Sequence, residues 1–173
     1  LFALDAQTAS RLGRIMMAGE VRKRYAALVR GWLDEAVDCR HPLSLPEDPY
    51  LKKRRGPSAP QDARTVFIPR ARAEAPVPCG GFETTRLGLL EAELFTGRRH
   101  QIRRHLKWLS HPIIGDATYG KGPLNRALAG WFGVERLMLH CTRMALPHPV
   151  TGETLDIRAP LAGGALRAAL ERL

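Results

Sequence analysis

Strand-length apolar segments outnumber helical ones in this chain, and turn-rich links join them in pairs. That pattern constrains the fold more than any other feature. Arg24 to Leu33 (RYAALVRGWL), Ala63 to Arg70, Thr84 to Leu94, Leu137 to Leu146 and Thr154 to Arg158 each read as a strand. The last two flank the turn Pro147 to Gly152 as a hairpin, and Pro76 to Gly81 separates the second from the third. Helical periodicity covers Asp5 to Ala18, Arg98 to Leu109, Asn125 to Phe132 and Leu161 to Leu173. In the first helix Asp5 is the N-cap, Ala9, Leu12, Ile15 and Met16 share a face, and Gly19 is the stop. Together these elements predict an α+β domain with a mostly antiparallel, mixed sheet flanked by helices. At 173 residues the chain can bury a core without a metal or disulfide staple.

Charge narrows the function. Lys and Arg number 27 against 17 Asp and Glu, a net charge of +10, with a pI near 10.4. A compact basic protein is attracted to polyanions, and nucleic acid is the most abundant of these. No apolar run reaches the length of a membrane span, so no membrane partner is expected. Leu1 to Leu4 lack the basic lead-in and cleavage site of a signal peptide. Cys39, Cys79 and Cys141 are odd in number, far apart and without a CxxC pair, which reads as free thiols in a reducing cytoplasm.

Two stretches carry the basic charge. From His41 to Gln61 the chain holds Pro42, Pro46, Pro49, Pro57 and Pro60 around the run Lys52, Lys53, Arg54 and Arg55, the composition of a long surface loop. The second stretch is TGRRHQIRRHLKWLSHPIIG, Thr96 to Gly115. As a helix it puts Ile102, Leu106 and Leu109 on a core stripe and His100, Arg103, Arg104 and Lys107 on the other side. Arg98 and Arg99 add positive charge at the helix N-terminus, where the macrodipole already disfavours it. Such crowding is relieved by an anion, and a phosphate suits it.

The same stretch resembles the GRxHQIRxH…HPIxGD signature of the RluA-type pseudouridine synthases: Gly97 to His105, then His111 to Asp116. Three further segments match in order. Lys23, Arg24 and Tyr25 with Val29, Arg30 and Gly31 are similar to a KxY…VxG strand. Arg136 to His140 resembles RLxLH, and His148, Pro149, Thr151 and Gly152 resemble an HPxTG turn. The likeness runs from Leu1 to about Pro160 and is nearest the branch that modifies a T-stem uridine of tRNA.

The resemblance implies isomerisation of uridine to pseudouridine in RNA, tRNA before rRNA, without metal, organic cofactor or obligate protein partner. It implies that Tyr25 stacks on the target base and is a candidate for removing the C5 proton. Arg103 would pair with the nucleophilic carboxylate and Leu139 would pack at the base site. Arg98, Arg99, His100, Arg104, Lys107 and the run Lys52 to Arg55 would hold RNA phosphates. The family's nucleophile lies in an HRLD motif just before a strand like Leu1 to Leu4, so 1–173 reads as a partial catalytic domain with that aspartate upstream of Leu1. Asp5 reads instead as a helix cap and Asp116 as a structural turn residue. Two other classes compete. A basic RNA-binding domain without catalysis fits the charge, whereas a nuclease or phosphoryl-transfer enzyme would need a Walker loop or a carboxylate cluster for Mg²⁺, which the sequence lacks.

Overall fold

The computed structural model describes residues 1–45, 59–161 and 165–171. The run Lys52 to Arg55 lies outside them. In chain order the elements are α1 (Ala6–Met17), β1 (Arg22–Arg30), β2 (Val37–Cys39), β3 (Thr65–Ala75), β4 (Thr85–Leu94), α2 (Gln101–Trp108), α3 (Gly122–Phe132), β5 (Leu139–Pro147), β6 (Thr154–Arg158) and α4 (Ala165–Leu170). The strands form one sheet in the order β2-β3-β4-β1-β5-β6, and each neighbouring pair is antiparallel. The α+β architecture is therefore the expected one.

β1 is central because its sequence allows burial on both faces. Ala26, Ala27, Leu28 and Val29 are all buried, and the strand pairs with β4 on one side and β5 on the other. Beyond Ala27 the partner changes. Ile113 and Ile114 slot between β1 and Met138: Ile114 N–H donates to the Leu28 carbonyl, Met138 N–H to that of Ile114, and Leu28 N–H to that of Met138. Gly115 follows at φ +75°, and a Cβ there would collide with the Arg136 carbonyl oxygen. Only glycine lets the chain leave the sheet at this point.

Directly paired residues of an antiparallel ladder project to the same face. Thr65 pairs with Leu94 and Leu94 with Lys23, so Thr65, Lys23, Tyr25 and Ala27 share one face with Leu139, the partner of Ala27. α2 lies on this face, tied to Thr65 through Gln101 and His105. Leu28, Leu87 and Leu89 on the opposite face line a cavity together with Leu170 of α4.

Several boundaries differ from the expectation. α2 begins at Gln101 rather than Arg98, because the Gln101 side chain accepts the Arg98 N–H and the Thr96 hydroxyl and closes a non-helical turn ahead of the helix. It ends in a Schellman motif whose left-handed residue is Ser110, with His111 N–H on the Leu106 carbonyl. β3 continues five residues past Arg70, across an irregularity between Pro69 and Ala71. The last helix is described only over Ala165–Leu170, inside the expected Leu161 to Leu173. β2 has no signal in the sequence; at three residues it exists through pairing with β3. On α1 the Asp5 cap is confirmed by its carboxylate accepting Thr8 N–H, yet of the expected apolar face only Leu12 is buried. Ala9 and Met16 are exposed.

Candidate RNA-modifying site

The expected cationic helix face is resolved by the structure into separate contacts. His100 precedes α2 in the left-handed region at φ 56°, and its Nδ1 lies 3.2 Å from the Tyr119 hydroxyl. Arg98 Nε donates to the Asp62 carbonyl at 3.0 Å, and Arg104 donates to the Ser44 carbonyl. Arg103 turns inward to Asp116. Arg98, Arg99 and Lys107 are exposed. Arg98, Arg104 and Arg103 are thus committed to two carbonyls and a carboxylate, and no anion between them is needed to hold α2 together.

Two buried polar side chains fix the helix in place. Gln101 uses all four of its hydrogen-bonding positions: Oε1 accepts from Thr96 and Arg98, and Nε2 donates to the Arg64 carbonyl and Thr65 Oγ1. His105 is fully buried, its Nε2 2.9 Å from the His41 carbonyl and its Nδ1 3.0 Å from Thr65 Oγ1. A carbonyl can only accept, so Nε2 carries the proton and Nδ1 accepts from Thr65. Burial lowers the imidazole pKa, consistent with this neutral tautomer. Neither role was visible in the sequence, where both residues read only as motif letters.

Arg103 and Asp116 form the centre of the site. Nε and one terminal nitrogen of Arg103 donate to the two carboxylate oxygens of Asp116, both at 2.8 Å. The Asp116 side chain is 0% exposed and that of Arg103 17%. Asp116 Oδ1 also accepts the N–H groups of Thr118 and Tyr119, and the Asn125 side chain bridges the Asp116 carbonyl and Gly115 N–H. Burial by itself would raise the Asp116 pKa, but Arg103 and the two N–H groups outweigh it and hold the carboxyl below its usual range. The guanidinium lies 5.0 Å from the Tyr119 ring centroid, and its remaining terminal nitrogen has no hydrogen bond among the described residues. Asp116 holds a turn, as the sequence implies, through the Thr118 and Tyr119 N–H groups; its pairing with Arg103 and the roles of Tyr119 and Asn125 are what reading the sequence missed, since the burial of a carboxylate leaves no mark on residue spacing.

Tyr25 is half-buried on β1, opposite Cys141 on β5. Burial, then the neighbouring Cys141 thiol, push its phenol up to about 12. Leu139, also half-buried, packs on the core two positions along the same face. The structure thus brings Tyr25, Leu139 and α2 to one side of the sheet. Asp5 lies apart from them as an exposed cap at the start of α1.

Residues 1–108 match the family described as RNA pseudouridylate synthase. tRNA pseudouridine synthase C of Salmonella typhi is 44% identical over 162 residues, 93% of this chain and 62% of that protein. The protein of the same name from Vibrio cholerae serotype O1 is 41% identical, again over 93% of this chain and covering 66% of its own length. The chain therefore spans less than two thirds of these curated relatives. Among solved structures, human RNA Pseudouridylate Synthase Domain Containing 1 superposes with a TM-score of 0.68 at 25% identity, over 91% of this chain and 62% of that one. Human RNA Pseudouridylate Synthase Domain Containing 4 gives 0.60 at 22% identity, over 97% and 68%, and shares the fold.

Proposed function

The chain belongs to the RNA pseudouridylate synthase family, and from that premise we propose that it is the larger part of a catalytic domain that isomerises uridine to pseudouridine in cytoplasmic tRNA. The similarity to tRNA pseudouridine synthase C proteins supports tRNA as the substrate. The reaction breaks the bond from N1 to the ribose, turns the base, joins C5 to the ribose and releases the C5 proton. The base must first leave its stack, at a cost of a few kcal/mol.

The observation that carries the reading is the Arg103 guanidinium, oriented side-on by buried Asp116 with a terminal nitrogen left over for a second anion. In this reading that anion is the nucleophilic carboxylate, kept ionised by the charge beside it. Neither described candidate can be the nucleophile. Asp116 accepts four N–H bonds and is 1% exposed, while Asp5 is committed to Thr8. The resemblance to the family implies that the attacking aspartate belongs to an HRLD motif outside this sequence. Tyr25 supports the extruded base beside Leu139. With its phenol held near 12, it stays protonated at neutral pH and packs rather than acts as a phenolate base. Arg98, Arg99, Arg104, Lys107 and the run Lys52 to Arg55 meet RNA phosphates, a contact that fixes register without reading sequence.

The test is tritium release from tRNA labelled at uridine C5, comparing the 173-residue chain with the same chain joined to its preceding coding sequence. The longer form is expected to turn over and the shorter one to be inactive; release by the shorter one would return the nucleophile to Asp5 or Asp116. In the active form, Arg103→Ala should lower turnover at least about a hundredfold, the scale of removing a preorganised charge. Arg99→Ala should stay within about fivefold, as for a screened contact. Equal turnover of the two variants would sink the assignment.

A further inference from the structure

A cleft of about 470 Å³ opens at the far end of β1, lined by Arg30, Arg86, Lys121, Glu74 and Phe82. None of these side chains takes part in the site built around Arg103. Phe82 is 75% exposed although it is a large aromatic, and its backbone is held in a tight turn. Cys79 and Phe82 exchange both backbone hydrogen bonds across Gly80 and Gly81, whose φ values of 62° and 89° fit a two-residue hairpin turn that needs positive φ at both places. Arg86 is braced by its guanidinium 4.6 Å over the Trp32 ring. The one carboxylate in the cleft, Glu74, is engaged by Arg86 at 3.6 Å and by the Thr84 hydroxyl at 3.0 Å. Three cations against one occupied carboxylate leave the cleft positive.

We infer that this cleft binds a nucleotide of the RNA substrate other than the target uridine, with its base on Phe82 and its phosphate on Lys121, Arg30 and Arg86. A positive groove with an aromatic platform is the combination that holds single-stranded nucleic acid without reading its sequence. By register Arg86 and its partner Glu74 share the sheet face of Gly88, Val29 and Tyr25, and from Tyr25 to the strand end at Arg30 is five residues, roughly 17 Å at about 3.3 Å per residue. One RNA strand can therefore reach both places, which favours a segment of the substrate over a free nucleotide. The inference rests on the RNA reading given above.

The experiment measures binding of a labelled, unmodified tRNA transcript to the chain across a series of KCl concentrations. Variants Phe82→Ala and Lys121→Gln replace one exposed turn residue and one whose side chain makes no helix-cap bond; unchanged melting confirms that they fold. Phe82→Ala is expected to weaken binding about 5- to 10-fold with the salt slope unchanged, the signature of a lost stack. Lys121→Gln should weaken binding and reduce the slope by about one, the signature of a lost phosphate contact. Uridine monophosphate should displace the transcript only far above the transcript's own Kd. If the unaltered chain binds tRNA steeply with salt and both variants match it, the cleft assignment falls and the RNA reading stands. If the unaltered chain does not bind tRNA even at low salt, the RNA reading falls and the cleft with it. Uridine monophosphate binding as tightly as the transcript would make the occupant a free nucleotide and overturn the inference.

Discussion

Arg103 and Arg70 each meet a carboxylate at close range on opposite faces of one sheet. Arg103 lies 2.8 Å from Asp116 on the α2 side, and Arg70 lies 3.0 Å from Glu91 on the other. Around Glu91 the charges form a small network, with Arg24 3.9 Å from Glu91 and 3.5 Å from Glu93, and Arg24 and Arg70 are 44% and 50% exposed. Around Asp116 the carboxylate is fully buried, and its Oδ1 accepts two backbone N–H groups besides the Arg103 bond. Water and salt screen the first group, so its net contribution is small. The second costs much to desolvate and more to break. The surface network keeps a sheet face soluble, whereas the buried pair sets the direction of one guanidinium.

The largest break in that contrast is Asp116→Ala. It strands the Arg103 charge and orphans the N–H groups of Thr118 and Tyr119. Arg103 keeps 17% exposure, so the expected loss is at the low end for a broken buried pair, about 3 kcal/mol. For a chain of this size that is a fall in Tm of roughly 10 °C. A fall of only a degree or two in a thermal melt would mean that Asp116 does not anchor the loop.

Acid sharpens the comparison at intermediate size. The folded-state pKa of Asp116 is depressed below its ordinary 3.8, so the stabilisation is present above that value and is lost as pH falls through the lower folded one. His105 acts earlier. Burial, against the opposing pull of the His41 carbonyl, depresses its pKa below 6.5, so the unfolded chain takes up the proton first and stability declines as pH drops below about 6.5. Urea midpoints followed from pH 7.5 to 3 should show both declines, and Asp116→Asn should keep the upper one and lose the lower. A variant profile identical to that of the unaltered chain would remove Asp116 from the account.

The smallest effect belongs to the surface. Glu91→Gln should shift stability by less than about 1 kcal/mol, and about 0.5 M NaCl should erase even that difference. An Asp116-sized loss at Glu91 would erase the distinction between the two faces.

How much of this was legible depended on the distance between cause and effect along the chain. The Asp5 cap and the Gly19 stop of α1 act within one turn, and both stand as the residue types imply. The hairpin of β5 and β6 is local in the same sense. The start of α2 was misplaced because the Gln101 amide that closes the turn ahead of it is itself held by Arg64 and Thr65, more than thirty positions away. The basic stripe was visible by periodicity, but its division among Asp62, Ser44 and Asp116 was not. Spacing says which side chains can share a face; it does not say which carbonyl waits across the gap.

The sequence by itself determined the α+β class, the order of nearly every element, the basic character and, through its motifs, the family. Those properties follow from propensities and patterns that act over a few residues or sum over the whole chain. Only the tertiary structure decided that Asp116 locks Arg103, that His105 is a neutral strut between β3 and the His41 carbonyl, and that Phe82 stands over a cationic cleft near the end of β1. Each depends on groups brought together by the sheet and on the loss of water around them. A buried charge or ring acquires its role from the partners that replace solvent, and those partners are set by how the strands pair.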